Sequence, residues 1–183
     1  GTASIDAITG AWTYAPTQHF NGSDSFEVTV TDDDGHEETQ VISLTVDPVN
    51  DDPTLDAISD ININEDAGEQ TVNLTGIATG GSEVQQLRVT ATSDNTGLIP
   101  DPTVTYSSAD STGTLAFTPV ADQFGTATIT VTVEDGGLDN NLATPGDNAT
   151  TTQTFDITVN PVNDDPTLDA ISDININEDA GEQ

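Results

Sequence analysis

Residues 126–133, TATITVTV, alternate apolar and threonine side chains without a break. Ala127, Ile129, Val131 and Val133 fall on one side of such a chain and threonines on the other. This period of two marks a half-buried β-strand. A second such run lies at 153–159, where Phe155, Ile157 and Val159 share a face. Shorter runs at 70–76, 84–92, 103–107 and 114–118 read the same way, and a broken strand is expected over 55–58 and 61–64. Gly, Pro, Asn and Asp cluster between the runs and supply turns.

Seven short strands separated by turns predict an all-β chain folded as an immunoglobulin-like Greek-key β-sandwich. The segment PVNDDPTLDAISDININEDAGEQ occurs twice without change, at 48–70 and 161–183, which sets a period of 113 residues. A long period of this kind implies tandem structural units. Residues 10–16, GAWTYAP, match 113–119, GTLAFTP, at an offset of 103. Val28, Val30 and Asp32 match Val131, Val133 and Asp135 at the same offset. The offset reaches 113 by the last strand, so the extra residues fall within the polar stretch 136–152, an expected loop.

The organisation expected is the C-terminal part of one repeat at 1–50, a complete repeat at 51–163, and the N-terminal start of another at 164–183. Residues 1–50 would supply the last four strands of a unit, and 164–183 the first strand of the next. Neither fragment completes a sandwich alone, and each would leave open sheet edges. The chain reads as a window on a longer array.

Charge narrows the function. The sequence carries 33 Asp plus Glu against one basic residue, Arg88, for a net charge of −32. Such a field repels phosphate backbones and anionic membranes and favours cations. The acids sit at strand ends between clean apolar runs, which argues for a folded chain over a disordered one. There is no Cys, hence no disulfide and no thiolate ligand, and no Lys. No apolar run approaches the roughly 20 residues of a membrane span. Only His19 and His36 offer imidazole, so zinc and copper are poorly served, and no nucleophile-elbow motif supports an enzyme.

Three acidic groups recur where a sandwich would gather them. The linker holds Asn50, Asp51 and Asp52, repeated as Asn163, Asp164 and Asp165. The end of the first strand holds Glu65 and Asp66, repeated as Glu178 and Asp179. The corner before the last strand holds Asp135 in the full unit, with Asp32 and Asp34 in the first. Alternating strand direction brings Glu65, Asp122, Asn163 and Asp164 to a lower junction, and Asp135 to Asn50 and Asp51 at an upper one. Hard oxygen donors on flexible loops suit Ca²⁺, whereas Mg²⁺ demands tighter octahedral geometry. The competing reading is that these acids only solvate the surface and cap turns.

The linker PVNDDP resembles the cadherin junction motif Asp-x-Asn-Asp-Asn-x-Pro, and Glu65 resembles the cadherin Glu that closes the first strand. Asp135 after VTVTVE is similar to the acidic position ending the sixth cadherin strand. Together with FNGSDSFEVTVTDDDG, nearly the whole chain resembles the bacterial cadherin-like repeat of large secreted and RTX-type adhesins. The resemblance implies an extracellular, cell-surface array of cadherin-like sandwiches whose partners are neighbouring repeats. It also implies that Ca²⁺ stiffens each junction and that the modules act as extenders or adhesins. Pro48 and Pro161 replace the first Asp of the motif, Asp52 and Asp165 its last Asn, and residues 17–22 lack any acid. These departures point to one or two ions per junction. The rival function is a carbohydrate-binding sandwich that stacks sugars on Trp12, Tyr14 and Phe20, although aromatics alternating on a strand belong more often to a core. Self-assembly into fibres by strand donation between chains is a variant of the structural reading.

Overall fold

The computed structural model describes residues 1–81, 83–178 and 181. Two antiparallel hairpins come first: β1 (Thr2–Ile5) with β2 (Trp12–Ala15), and β3 (Gly22–Thr31) with β4 (Glu37–Val46). Seven strands follow: β5 (Ile61–Asn64), β6 (Gln70–Thr75), β7 (Leu87–Ser93), β8 (Thr103–Thr105), β9 (Thr112–Phe117), β10 (Gly125–Asp135) and β11 (Thr150–Asn160). They form a four-stranded sheet in the order β5-β11-β10-β7 and a three-stranded sheet in the order β6-β9-β8. The chain is all-β, an Ig-like sandwich with no helix among the described residues.

The alternation read from the sequence sets which faces meet. Ala127, Ile129, Val131 and Val133 of β10 are buried, with Phe155, Ile157 and Val159 of β11 beside them. Leu74 of β6 and Leu115 and Phe117 of β9 close the core from the other sheet. Each such side chain contributes about 1.5–3 kcal/mol on burial, and small β-branched residues suffice because the sheets stack close together.

The first strand is more broken than the sequence indicates. Residues 55–58 form no ladder. Thr54 makes one bridge to Ala78, and Asp56 N donates to Thr75 O at 2.9 Å, so this stretch lies beside β6. The chain then crosses to the other sheet, where β5 pairs in parallel with β11, Ile61 opposite Ile157. Residues 84–86, expected to begin a strand, fall outside β7. Gln86 N takes the Asn140 side-chain oxygen at 2.6 Å in place of a ladder partner, and Gln85 turns into the end of the sandwich.

Residues 164–178, expected to be a first strand, pair with nothing and form no strand. Leu168, Ile171, Ile174 and Ile176 stay exposed. The expectation at Asp179 lies outside the described residues. In the first hairpins the aromatics expected in a core are not enclosed. Trp12 is 47% exposed, whereas Leu115, which matches it in the full unit, is 0% exposed. Trp12 and Tyr14 pack on Phe26 with ring centroids 5.4 and 6.3 Å apart. The first hairpins face each other as two small sheets, but among the described residues nothing stands beside them as β6 stands beside β9 and as β7 stands beside β10, so the group stays open at its flanks.

Candidate metal centre and unit junctions

Two polar groups lie at opposite ends of the sandwich. Below, β5 ends in a turn that places Asp66 in left-handed backbone, φ 60°. The turn between β9 and β10 does the same to Asp122, φ 58°. Asp is among the few side chains that tolerate this region. Asp122 N donates to Asp66 Oδ1 at 3.2 Å. The linker leaving β11 then delivers Asp164, and carboxylate oxygens of Asp66, Asp122 and Asp164 lie within 4.8 Å of one another. All three are exposed.

Glu65 beside them is nearly buried, at 6% exposure, and clamps the same linker: its Oε1 accepts from Val162 N at 2.6 Å. Lost hydration, followed by the charges of Asp122, Asp66 and Glu65, raises the Asp164 carboxyl above the usual carboxylate range. The Asp164 carboxyl therefore resists ionising beside these neighbours. Asn163 turns away and donates to Asp164 O at 3.1 Å, and Asp165 is exposed without joining the group.

Above, Asp135 is 0% exposed. Its Oδ1 accepts from Gly137 N at 2.9 Å and Ala149 N at 2.8 Å, and Asn50 Nδ2 approaches both carboxylate oxygens at 3.3 and 3.2 Å. Gln85 Nε2 donates to Asn50 Oδ1 at 2.7 Å and Glu83 Oε2 at 2.9 Å. Asn148 Nδ2 donates to Glu134 Oε1 at 3.1 Å. Amide donors here occupy the side of each carboxylate that a cation would take.

Gln85 Oε1 and Asn148 Oδ1 are buried with no partner. Flipping either amide would set oxygen against the acceptors just named, so the surplus of acceptors is built in. Asp51 N donates to Glu83 Oε2 at 3.2 Å, while Asp51 Oδ2 meets His19 Nδ1 at 2.9 Å. Asp52 is exposed. Asp32 Oδ1 accepts from Asp34 N at 3.0 Å and His36 N at 2.8 Å, so Asp32 and Asp34 shape the β3–β4 turn at the end of the first unit away from the linker.

The structure thus brings Asp66, Asp122 and Asp164 together, with Glu65 alongside, and separately joins Asn50 to Asp135. Asp32, Asp34, Asp52, Asn163 and Asp165 stand apart from both groups. Sequence reasoning missed Gln85, Asn148 and Glu83. Nothing in their spacing marked them, because the path of the 136–149 loop brings Asn148 and the loop carbonyls to the linker. His19 was visible only as an isolated imidazole.

Residues 1–45 match the family model described as a bacterial Ig domain. No curated protein matches the chain. Among solved structures, the crystal structure of domains 4 and 5 of the S-layer protein SbsC is similar at 18% identity and a TM-score of 0.40, covering 86% of this chain and 79% of that one. The structure of SbsC domains 1–6 is similar at 19% identity and a TM-score of 0.39, with 86% and 22% covered. The chain therefore spans most of the shorter S-layer structure and about a fifth of the longer one.

Proposed function

We propose that this chain is a structural extender from a bacterial cell-surface or secreted protein, of the cadherin-like kind, whose successive sandwiches are stiffened by Ca²⁺ at their junctions. The repeat units would be 1–50, 51–163 and 164–183, and neighbouring repeats their main partners. The bacterial Ig match at 1–45 supports a surface module of repeated domains. One observation carries the calcium reading: three carboxylates from three separated segments converge within 4.8 Å at a linker. Their oxygens are hard donors, mounted on turns that can adjust to the irregular shell Ca²⁺ accepts.

In this reading Asp66 and Asp122 fix the end of one unit and Asp164 carries the linker. Without a divalent cation the three carboxylates repel one another. The linker would then swing free. Bound Ca²⁺ supplies the positive charge that lets all three ionise side by side. The test is a calcium titration of the 183-residue chain, followed by calorimetry and by small-angle scattering. Saturable millimolar-or-tighter binding with an ordered 161–166 linker is expected. A chain whose dimensions are the same in calcium and in chelator would overturn the reading.

A further inference from the structure

The two linkers share one sequence but meet different partners. The turns at 17–20 and 120–123 are equivalent: Phe20 N donates to Thr17 O at 3.1 Å, and Gln123 N to Val120 O at 3.3 Å. Each follows the matched prolines Pro16 and Pro119, and each holds a non-glycine residue in left-handed backbone. In the second turn that residue is Asp122, at φ 58°, and in the first it is His19, at φ 59°. The linker residue facing them is equivalent too: Asp51 and Asp164 lie one 113-residue period apart.

The same geometry therefore sets a carboxylate against a carboxylate at the second junction and an imidazole against a carboxylate at the first. The second arrangement repels. The first attracts, with His19 Nδ1 at 2.9 Å from Asp51 Oδ2. An N–H donor needs no intervening cation.

The loop before β7 closes over this pair. Gly80 and Gly81 both have positive φ, 77° and 41°. A Cβ on Gly81 would overlap the Asp51 carboxylate and reach 3.0 Å from His19 Nδ1, and one on Gly80 would overlap the Asp52 carbonyl. A cleft at the same place is lined by Thr17, His19 and Phe20 of the first unit, Asp51 of the linker and Glu83 of the second unit. Turn, linker and loop of successive units thus meet at one imidazole.

We infer that the first junction is held by the His19–Asp51 contact beneath Gly81 and needs no divalent cation between units, and that the residue at position 19 or 122 decides which kind of joint forms. The inference deepens the calcium reading and rests on it only for the second junction. An array built this way would loosen at some joints and keep others when calcium falls.

The chain has no cysteine, so spin labels can be placed freely. Ser43→Cys with Thr90→Cys spans the first junction, and Thr118→Cys with Thr167→Cys, close to Asp164, spans the second; all four positions are exposed. In chelator the first pair should give one narrow distance and the second a broad distribution, with added Ca²⁺ narrowing only the second. His19→Gly, which tolerates the same backbone and carries no donor, and Gly81→Ala should each lose the narrow first distance in chelator. His19→Asp should recover it only with Ca²⁺. An unchanged melting midpoint for each variant verifies that the complete sandwich still folds. Broadening of the unsubstituted first pair on chelation, or a narrow distance that survives His19→Gly, would overturn the inference. A second pair indifferent to Ca²⁺ would sink the calcium reading and the contrast between joints, while the first pair still tests the His19 contact by itself.

Discussion

At the scale of single residues, the lower carboxylates are set by backbone as much as by charge. Asp122 sits at positive φ, where Asn is tolerated and Ala is strained. Asp122→Asn keeps the turn and removes one charge. Calcium affinity measured by calorimetry should fall about tenfold or more, since about 1.4 kcal/mol corresponds to each factor of ten. Asp164 gives a pH dependence whose sign can be worked out. Its carboxyl is raised in the folded chain, first by lost hydration and then by Asp122, Asp66 and Glu65.

The docked linker therefore favours a proton more than the free linker does. In chelator, docking should strengthen as pH falls through that raised value and weaken as pH rises above it. Proton and Ca²⁺ compete for the same oxygens, so calcium affinity should move the opposite way and fall as the solution is acidified. Titrations stepped from pH 7 down to the ordinary carboxyl value of 3.8 check both signs.

At the scale of elements, one sequence exists in two states. Ile61–Asn64 lies in parallel register on β11, while the same four residues at 174–177 touch no strand. Propensity is identical, so the partner edge alone makes the strand. Hydrogen exchange should show protected amides at 61–64 and rapid exchange at 174–177. Equal protection would mean that the second copy has found an edge to pair with.

Matched core positions make a similar contrast. Leu115→Ala should cost about 2–5 kcal/mol in denaturant unfolding. Trp12→Ala, at the equivalent and half-open position, should cost under about 1 kcal/mol, although it removes more atoms.

The strands of the full unit were legible because alternation with period two marks a face, as β10 shows from Ala127 to Val133 and β11 from Phe155 to Val159. The ends were less legible. Residues 55–58 alternate like a strand, yet the chain must change sheets there. Val84 reads as the start of a strand, yet it is exposed and out of phase with Leu87 and Val89, and Gln85 is drawn off to satisfy Asn50 and Glu83. The convergence of Asp122 and Asp164 followed from strand direction and the repeat. The same offsets set His19 opposite Asp51, but a search for carboxylates alone passes over an imidazole in that turn.

At the scale of the molecule, a net charge of −32 makes shape respond to ions. Monovalent salt shortens the reach of repulsion to about 10 Å at 0.1 M but does not bind between carboxylates 4.8 Å apart. Scattering in chelator should therefore change little between 0.1 and 0.5 M sodium chloride, yet respond to millimolar calcium. A full response to sodium would attribute the stiffness to general screening and not to a site.

Arg88 has a consequence of another kind. It stands on β7 opposite Glu134, its Nε 3.1 Å from the Glu134 carboxylate, and it is the only residue in the chain after which trypsin can cut. A protease needs several residues of extended, unpaired substrate, so the bond to Val89 is out of reach until β7 leaves its sheet. Digestion then yields only two pieces, 1–88 and 89–183, at a rate that reports how often the sandwich opens. An array of such units would present trypsin-like enzymes with almost nothing to hold.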